Sequence, residues 1–358
     1  MKKVFISDCE GPISKNDNAF EVTAQFIPNG DKLFTVISRY DDVLAYVLKR
    51  KGYKAGDTLK LILPFLKAHN VTDEKMRKFS AQSLVLIPKA KEMLRHIRRL
   101  AYAFIVSTSY EHYVETLCEA VNFPYRNVYC TRLRIDKYNV TENERKLLKE
   151  LAKEIVQMPI IEIPPHAESL EDFPVEYRKA ILRLDEIFWE EIANMESGRF
   201  LSEVNPLGGL EKAEAVQEAV VRVGAKLEDV MYVGDSITDV EAFKLVKENG
   251  GLTVSFNGNK YAVENAEVAV LANHCMATAA IAEIFSRFGK KQTLSIVGRW
   301  SLETLKHAQI SQTLIKSFLD LGELPKVKII TKENIEVLAK ESSEFRKRVR
   351  GETIGRLG

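Results

Sequence analysis

The chain has 358 residues, 46% of them hydrophobic and 28% charged, so it is long enough for about two domains of an ordinary globular protein. Its 52 basic and 50 acidic residues leave a formal net charge of +2, which gives no electrostatic case for binding nucleic acid or a membrane surface. No apolar run approaches the ~20 residues that a membrane-spanning helix needs.

The first residues contain an apolar run that ends in two acids. Residues 4–6 favour a strand, and Gly11 and Pro12 then break it. Between them lie Asp8 and Glu10, at the carboxyl edge of the expected parallel sheet, where α/β folds place their ligands. One acid there can act as a nucleophile and the other as a proton donor. Taken alone, two such acids can equally cap or solvate a turn.

The next segments predict a helical region followed by alternating elements. We expect helices at 57–69 and 72–83, and no strand between residues 15 and 86. From 88 to 135 the pattern predicts helix, strand, helix, strand, which is typical of a doubly wound sheet. The first of these strands ends at Ser107 and Thr108, in a position where a serine is also a common helix cap.

The following region interrupts this alternation. Residues 137–200 contain a capping signal that begins at Thr141, a proline-containing stretch and a long amphipathic helix. We interpret them as a second, mostly helical insertion of the size of a small subdomain.

The alternation then resumes. Lys212 opens a predicted helix, and the apolar run 230–234 is followed by Asp235 and Asp239. Two more short strands are expected, with Asn257 in the loop between them. Each of these residues has an ordinary structural role as an alternative, such as a surface lysine or a helix cap.

The C-terminal residues predict further helices near 301–320 and 332–348 and a short strand at 326–330. The basic run 346–350 is interpreted as a solvated helix end, with a partner-binding tail as the alternative. The four cysteines, which form no C-x-x-C pair and fit no zinc spacing, are expected to be buried free thiols: Cys9, Cys118, Cys130 and Cys275.

In order, the chain gives a strand with Asp-x-Glu, a strand with Ser, a Lys at a helix start, and a strand with Gly-Asp-x-x-x-Asp. This pattern resembles the four motifs of the haloacid dehalogenase-like phosphohydrolases. The resemblance covers roughly residues 1–15, 88–135 and 203–288 and implies an α/β fold with a Rossmann-like doubly wound parallel sheet. The implied domains are a core (1–14, 88–136 and 201–289), a helical cap (15–87), the second helical insertion (137–200) and a C-terminal helical extension (290–358).

The resemblance also implies a chemistry. Asp8 would attack phosphorus and form an aspartyl-phosphate, while Glu10 would protonate the leaving alcohol. Ser107, with the N–H of Thr108, would hydrogen-bond a phosphoryl oxygen, and Lys212 would add a fixed positive charge.

The implied cofactor is Mg²⁺. Its ligands would be Asp8, Asp235 and the backbone carbonyl of Glu10, with Asp239 either a ligand or a residue that supports one. Because a cleaved signal peptide would remove Asp8, we expect a cytoplasmic protein.

Within the family, the pattern looks most like that of phosphoserine phosphatases. The resemblance implies that Asp17 faces the substrate amine and that Asn257 lies in the substrate-binding region. The sequence departs from that group at Glu10 and Pro12, where Asp and Thr are common, and in its two added segments. The D-C-E-G-P form also resembles an uncharacterised archaeal family, some members of which are named subunit R of an energy-converting hydrogenase; no iron–sulfur or nickel motif accompanies it.

Two hypotheses follow. The first is a Mg²⁺-dependent phosphatase, or a phosphotransferase, that acts on a small phosphorylated metabolite. The second is an accessory protein of the same fold that binds a protein partner, with the C-terminal extension as the candidate surface. Dehalogenase chemistry is disfavoured because it would leave Asp235 and Asp239 without a role.

Overall fold

The computed structural model describes residues 2–322 and 324–355. Seven strands form one sheet: β1 (Val4–Ser7), β2 (Tyr102–Tyr110), β3 (Val128–Thr131), β4 (Val230–Gly234), β5 (Leu252–Phe256), β6 (Val268–Leu271) and β7 (Lys326–Ile329). Their order is β3-β2-β1-β4-β5-β6-β7. The first six strands are parallel, and β7 pairs antiparallel with β6 at the edge. The expected doubly wound, mostly parallel sheet is therefore confirmed.

Helices surround the sheet and form the insertions. Those before β2 are α1 (Asn18–Phe26), α2 (Gly30–Asp42), α3 (Thr58–Leu61), α4 (Leu63–Ala68), α5 (Asp73–Ser83) and α6 (Ala90–Leu100). Between β2 and β4 lie α7 (Glu111–Val121), α8 (Glu142–Gln157), α9 (Val175–Glu186), α10 (Arg199–Glu203) and α11 (Leu210–Arg222). The remainder are α12 (Val240–Glu248), α13 (Lys260–Asn265), α14 (Met276–Val297), α15 (Leu302–His307), α16 (Gln312–Leu321), α17 (Ile335–Arg350) and α18 (Glu352–Gly355).

The sheet is covered on both faces, and the central strands β1, β4 and β5 are buried at every position. In β1, Phe5 packs into a cluster with α6, α7 and α14, whereas Val4 and Ile6 pack against α11 and α12 on the opposite face. This alternation follows from the two-residue period of a strand. Among the described helices, none has the length and apolar character that crossing a membrane requires.

Several local predictions are refined by the structure. The capping signal at Thr141 forms a capping box at the start of α8, and the four cysteines are free and buried, as expected. The strand expected over 128–135 ends at Thr131. The Leu133 N–H, which a longer strand would use for pairing, instead donates a hydrogen bond to the Glu111 carboxylate. In contrast, β2 continues past Ser107 to Tyr110, with a register shift against β3.

The two insertions share one hydrophobic core. Phe188, from the second insertion, stacks on Tyr40 with ring centroids 5.9 Å apart and meets Phe65 edge-on at 6.1 Å. All three rings belong to one cluster of buried side chains that also includes Leu148, Ile181 and other residues of α8 and α9. Although the division of the chain into separate domains remains a prediction, the packing makes the two helical segments stabilise each other.

This shared core predicts the effect of removing one ring. Phe188→Ala should lower the free energy of unfolding by about 3–5 kcal/mol, because Phe188 is fully buried between the two insertions. Urea unfolding followed by circular dichroism would measure the change. Leu182→Ala is the control, since Leu182 is half-exposed and its loss should cost about 0.5 kcal/mol or less. Equal effects of the two substitutions would contradict the shared core.

Candidate active site

The site begins at the carboxyl end of the central strand β1. The Asp8 N–H continues the ladder to the Val233 carbonyl at 2.8 Å, and the Asp8 carboxylate accepts a hydrogen bond from the Cys9 N–H at 2.6 Å. Strand pairing thus fixes Asp8 beside the end of β4, where Asp235 follows. The buried Asp8 lies at the edge of the sheet where the sequence predicts a ligand site.

Gly11 allows the chain to turn tightly at this edge. Its φ of 94° is in the left-handed region, which favours glycine. A Cβ atom at this position would lie 2.1 Å from Asp235 Oδ2, so any side chain would collide with that carboxylate. The turn that follows Glu10 is therefore built to bring the backbone against Asp235.

Lys212 connects the two acid-bearing loops. Its fully buried ammonium group lies 2.6 Å from Asp8 Oδ2 and 2.7 Å from Asp239 Oδ1. Although burial by itself lowers the pKa of Lys212, the carboxylates of Asp239 and Asp8 raise it above its ordinary value, so the side chain is charged. Burial raises the pKa of Asp8 to about 7, against the opposing effect of Lys212.

Asp239 is held on both of its oxygens. Oδ1 accepts hydrogen bonds from Lys212 and from the Tyr232 hydroxyl at 2.7 Å, and Oδ2 accepts them from the N–H groups of Asp235 and Ser236 at 2.9 and 3.0 Å. Burial opposes ionisation of Asp239, but Lys212 outweighs it and lowers the pKa. Asp239 therefore fits the role of an anchor for Lys212 and for the Asp235 turn better than that of a metal ligand.

Asp235 is bound by two arginines of the C-terminal helix. Its Oδ2 accepts hydrogen bonds from Arg346 and, at 3.0 Å, from Arg350. Both arginines are buried, with exposed fractions of 3% and 9%. The prediction that the basic run 346–350 is a solvated helix end is therefore wrong for these two residues. Every fourth residue of α17 faces inward, and Arg346 and Arg350 continue the buried stripe that includes Ser342.

Glu10 and Asp17 form another part of the site. Glu10 Oε1 accepts a hydrogen bond from the Asn18 N–H at 2.6 Å, and Asp17 caps α1 by accepting one from the Phe20 N–H at 3.1 Å. Burial and the neighbouring Asp17 carboxylate raise the pKa of Glu10 well above its usual range. Glu10 is therefore biased towards the protonated form, which a proton donor needs.

The serine-rich end of β2 contributes hydroxyl groups. Ser107 Oγ accepts a hydrogen bond from the Ser109 N–H at 3.2 Å. Thr108 Oγ1 is buried and has no hydrogen-bond partner among the described residues. These groups lie at the place where the sequence predicts contacts to a phosphoryl oxygen.

Most of the predicted residues line a cavity of about 110 Å³. Its lining includes Asp8, Glu10, Asp17, Ser107, Thr108, Asp235 and the two arginines. Lys212 lies directly behind Asp8. Further lining comes from the predicted cap, namely from Phe34, Ser38, Asp41, Asp42, Gly56, Thr58 and Leu59.

Asn257 does not line this cavity, in contrast to its predicted place in the substrate-binding region. Its side-chain amide donates to the Ala272 carbonyl at 2.7 Å and accepts from the Ala272 N–H at 2.9 Å. Asn257 thus closes the loop between β5 and β6 in a left-handed backbone conformation, for which asparagine is well suited. Both ends of the amide therefore serve the backbone of Ala272.

The oxygen atoms at the site suit Mg²⁺, a hard cation that prefers oxygen ligands. One carboxylate oxygen each of Asp8, Asp235 and Asp239 lies within 4.8 Å of the others. Among the described residues, no hydrogen bond reaches Asp235 Oδ1 or the Glu10 carbonyl. These two oxygens and the Asp8 carboxylate therefore fit a cation.

The cap wall contains acids that the sequence reading did not identify. Asp41 accepts hydrogen bonds from the Tyr53 hydroxyl at 2.7 Å and from the Gly56 N–H at 3.0 Å, yet burial raises its pKa to about 7, with further contributions from Asp42 and Asp57. Burial likewise raises the pKa of Asp42 to about 6. Adjacent acids on a helix normally indicate a solvated face, so the sequence carried no signal for their burial.

The raised pKa of Asp41 predicts a pH dependence of stability. The unfolded chain releases this proton near pH 4 and the folded chain near pH 7, so the contribution of Asp41 to the free energy of unfolding falls as the pH rises between these values. Asp41→Asn should remove this loss. Urea unfolding in EDTA measures the fall in the free energy of unfolding from pH 4.5 to pH 7.5. This fall should be smaller by at least about 1 kcal/mol in the variant than in the wild type. Asp31→Asn, at an exposed site, should follow the wild type; a parallel decline in all three proteins would contradict the assignment.

Comparison with known proteins shows the family to which this chain belongs. The structure of gene product AF1437 from Archaeoglobus fulgidus matches with a TM-score of 0.81 at 25% identity, covering 100% of this chain and 99% of that one. A structure of phosphoserine phosphatase in apo form matches with a TM-score of 0.48 at 14% identity, over 81% and 100% of the two chains. No similar protein was found among curated sequences. A family model for haloacid dehalogenase-like hydrolases matches residues 84–283, more than half of the chain, and the protein belongs to this family.

Proposed function

We propose that this hydrolase is a Mg²⁺-dependent phosphatase that removes the phosphoryl group from a small phosphorylated metabolite. The observation that carries the proposal is the contact of buried Lys212 with Asp8. A lysine pointing away into solvent would instead favour a non-catalytic protein. The cation-compatible oxygens of Asp8 and Asp235 on the same cavity add support.

The reaction follows from the positions of two acids. In the first step the Asp8 carboxylate forms a bond to phosphorus while the bond from phosphorus to the leaving oxygen breaks, and Glu10 gives its proton to that oxygen. In the second step a water molecule attacks the aspartyl-phosphate, and Glu10 takes a proton from it. Phosphate leaves and Asp8 is restored.

Other side chains balance the negative charge of the phosphoryl group. Lys212 holds a fixed positive charge against Asp8, and Ser107 and the Thr108 N–H are the expected partners of a phosphoryl oxygen. A Mg²⁺ ion bound by Asp8, Asp235 and the Glu10 carbonyl would supply the remaining positive charge for phosphoryl transfer.

The cap contacts the core around the cavity and favours a small substrate. The Tyr110 hydroxyl donates to the Leu59 carbonyl at 2.5 Å, and Tyr46 stacks on Tyr261 with ring centroids 5.6 Å apart. Gly56 lies so close to Thr108 that an added Cβ would be 3.0 Å from its methyl group. These contacts bring the predicted cap close to the core beside the cavity, whose volume of about 110 Å³ suits a small substrate.

The second candidate is a partner-binding protein that uses the C-terminal extension. The inward positions of Arg346 and Arg350 favour a role of this extension within the cavity instead. Transfer of the phosphoryl group to an acceptor other than water remains a variant of the same chemistry, since both reactions share the first step.

Replacing the nucleophile tests the proposal directly. The wild type should hydrolyse p-nitrophenyl phosphate with Mg²⁺ and lose this activity in EDTA, and Asp8→Asn should lower kcat by about 10³-fold or more because the covalent step is lost. Release of p-nitrophenol gives the rate. Asp31→Asn, at an exposed position, should leave the rate unchanged. Equal hydrolysis by the wild type and Asp8→Asn would refute the covalent mechanism.

A second substitution tests the phosphoryl contact. Ser107→Ala should reduce kcat by about 100-fold with a smaller change in KM, because a hydrogen bond that strengthens in the transition state is removed. Steady-state kinetics with the same substrate would separate the two constants. Ser202→Ala, at an exposed position of α10, serves as the control. A change confined to KM would show that Ser107 contributes to binding alone.

A further inference from the structure

The buried acid cluster is already balanced by charge within the chain. Its three carboxylates belong to Asp8, Asp235 and Asp239. Among the described residues, the cationic side chains that form ion pairs with them are equal in number, namely Lys212, Arg346 and Arg350. With these groups ionised, the cluster is neutral before any divalent cation enters.

The two arginines are held firmly where they meet Asp235. The Ser342 hydroxyl of α17 donates to the Gly258 carbonyl at 2.7 Å, and Leu338 packs in an apolar cluster with Val263 of α13. Arg350 Nε also donates to the Lys15 carbonyl at 2.9 Å. Moving the guanidinium groups away from Asp235 would therefore disturb the packing of the whole helix.

A cation that uses Asp235 must share it with these arginines. Oδ2 is occupied by the two guanidinium groups, which leaves Oδ1 for a metal ion. A divalent ion bound there lies within a few ångströms of two fixed positive charges, and like charges in a buried site repel strongly. The carboxylate that attracts the ion is also partly neutralised before the ion arrives.

We propose that Arg346 and Arg350 are built-in counter-ions of Asp235 that compete with the divalent cation and set a low affinity for it. This inference rests on the metal site of the proposed function. It assigns to the C-terminal extension a positioning role, exerted through Asp235. The site then gains full cation occupancy only when the cation concentration is high.

Arg346→Gln tests the competition because Arg346 donates directly to Asp235, whereas Arg350 also holds the backbone at Lys15 and Asn16. Isothermal calorimetry of the full chain with MgCl₂ should show a Kd lower by about tenfold or more in Arg346→Gln, since one repelling charge is gone. Arg348→Gln is the matched control: it removes the same charge from the same helix at an exposed position and should keep the wild-type Kd.

A second readout guards against a variant that folds poorly. Without Mg²⁺, Arg346→Gln should melt at a lower temperature than the wild type because Asp235 loses a buried partner, and MgCl₂ should raise its Tm by more than it raises that of the wild type. Arg346→Lys keeps the charge and should fold, with a Kd between those of the wild type and Arg346→Gln.

Weaker or unchanged Mg²⁺ binding in Arg346→Gln, or no binding in any variant, would overturn the inference. Because the calorimetric measurement needs no turnover, its result is independent of whether the wild type hydrolyses p-nitrophenyl phosphate. A protein that hydrolyses the ester with an unchanged Kd in Arg346→Gln would thus retain the proposed function and lose only the competition.

Discussion

The buried contact of Lys212 with Asp8 and Asp239 is the interaction on which the rest of the site depends. Transfer of one unpaired ion from water to a protein interior costs several kcal/mol, so none of these groups is stable there without the others. Asp8 and Lys212 are 204 residues apart in sequence. The pairing of β1 with β4 and the packing of α11 against the sheet bring them together. The fold and the charge pairing therefore support each other.

The same constraint explains the arrangement around Asp235. Its carboxylate is buried by the Gly11 turn on one side and faces the C-terminal helix on the other. A buried carboxylate of this kind needs the positive charge of either a bound metal ion or a cationic side chain. Arg346 and Arg350 meet this need within the chain, and the C-terminal extension thereby becomes part of the cavity wall.

Much of this site follows from local sequence patterns. Apolar runs that end in Asp8, Ser107 and Asp235 predict strands whose carboxyl ends meet, and the structure brings these residues to one cavity. The buried arginines were missed because a basic run ordinarily indicates solvent exposure. The available signal was the spacing of α17, in which Leu338, Ser342, Arg346 and Arg350 share one face. The partner of that face, Asp235, is 111 residues away from Arg346 in sequence, and no local pattern can indicate it.

The common core of the two insertions was equally beyond local reasoning. Each segment contains amphipathic helices, so the pattern indicates that their apolar faces must be covered. The pattern does not indicate which segment covers them. Tyr40 and Phe188 satisfy this requirement by stacking across the two segments. Asn257 illustrates a different limit, since the family resemblance placed it in the substrate-binding region, whereas its amide serves the backbone of Ala272.

Arg350 connects the charge of the site to the position of the cap. The same guanidinium that contacts Asp235 donates hydrogen bonds to the carbonyls of Lys15 and Asn16, where the chain leaves β1 for the cap. Asn16 in turn accepts a hydrogen bond from the Val85 N–H, where the chain returns. The two connections of the cap and the acid at the end of β4 thus converge on one side chain of the C-terminal helix. Charge balance at Asp235 and attachment of the cap are for this reason parts of a single structural requirement.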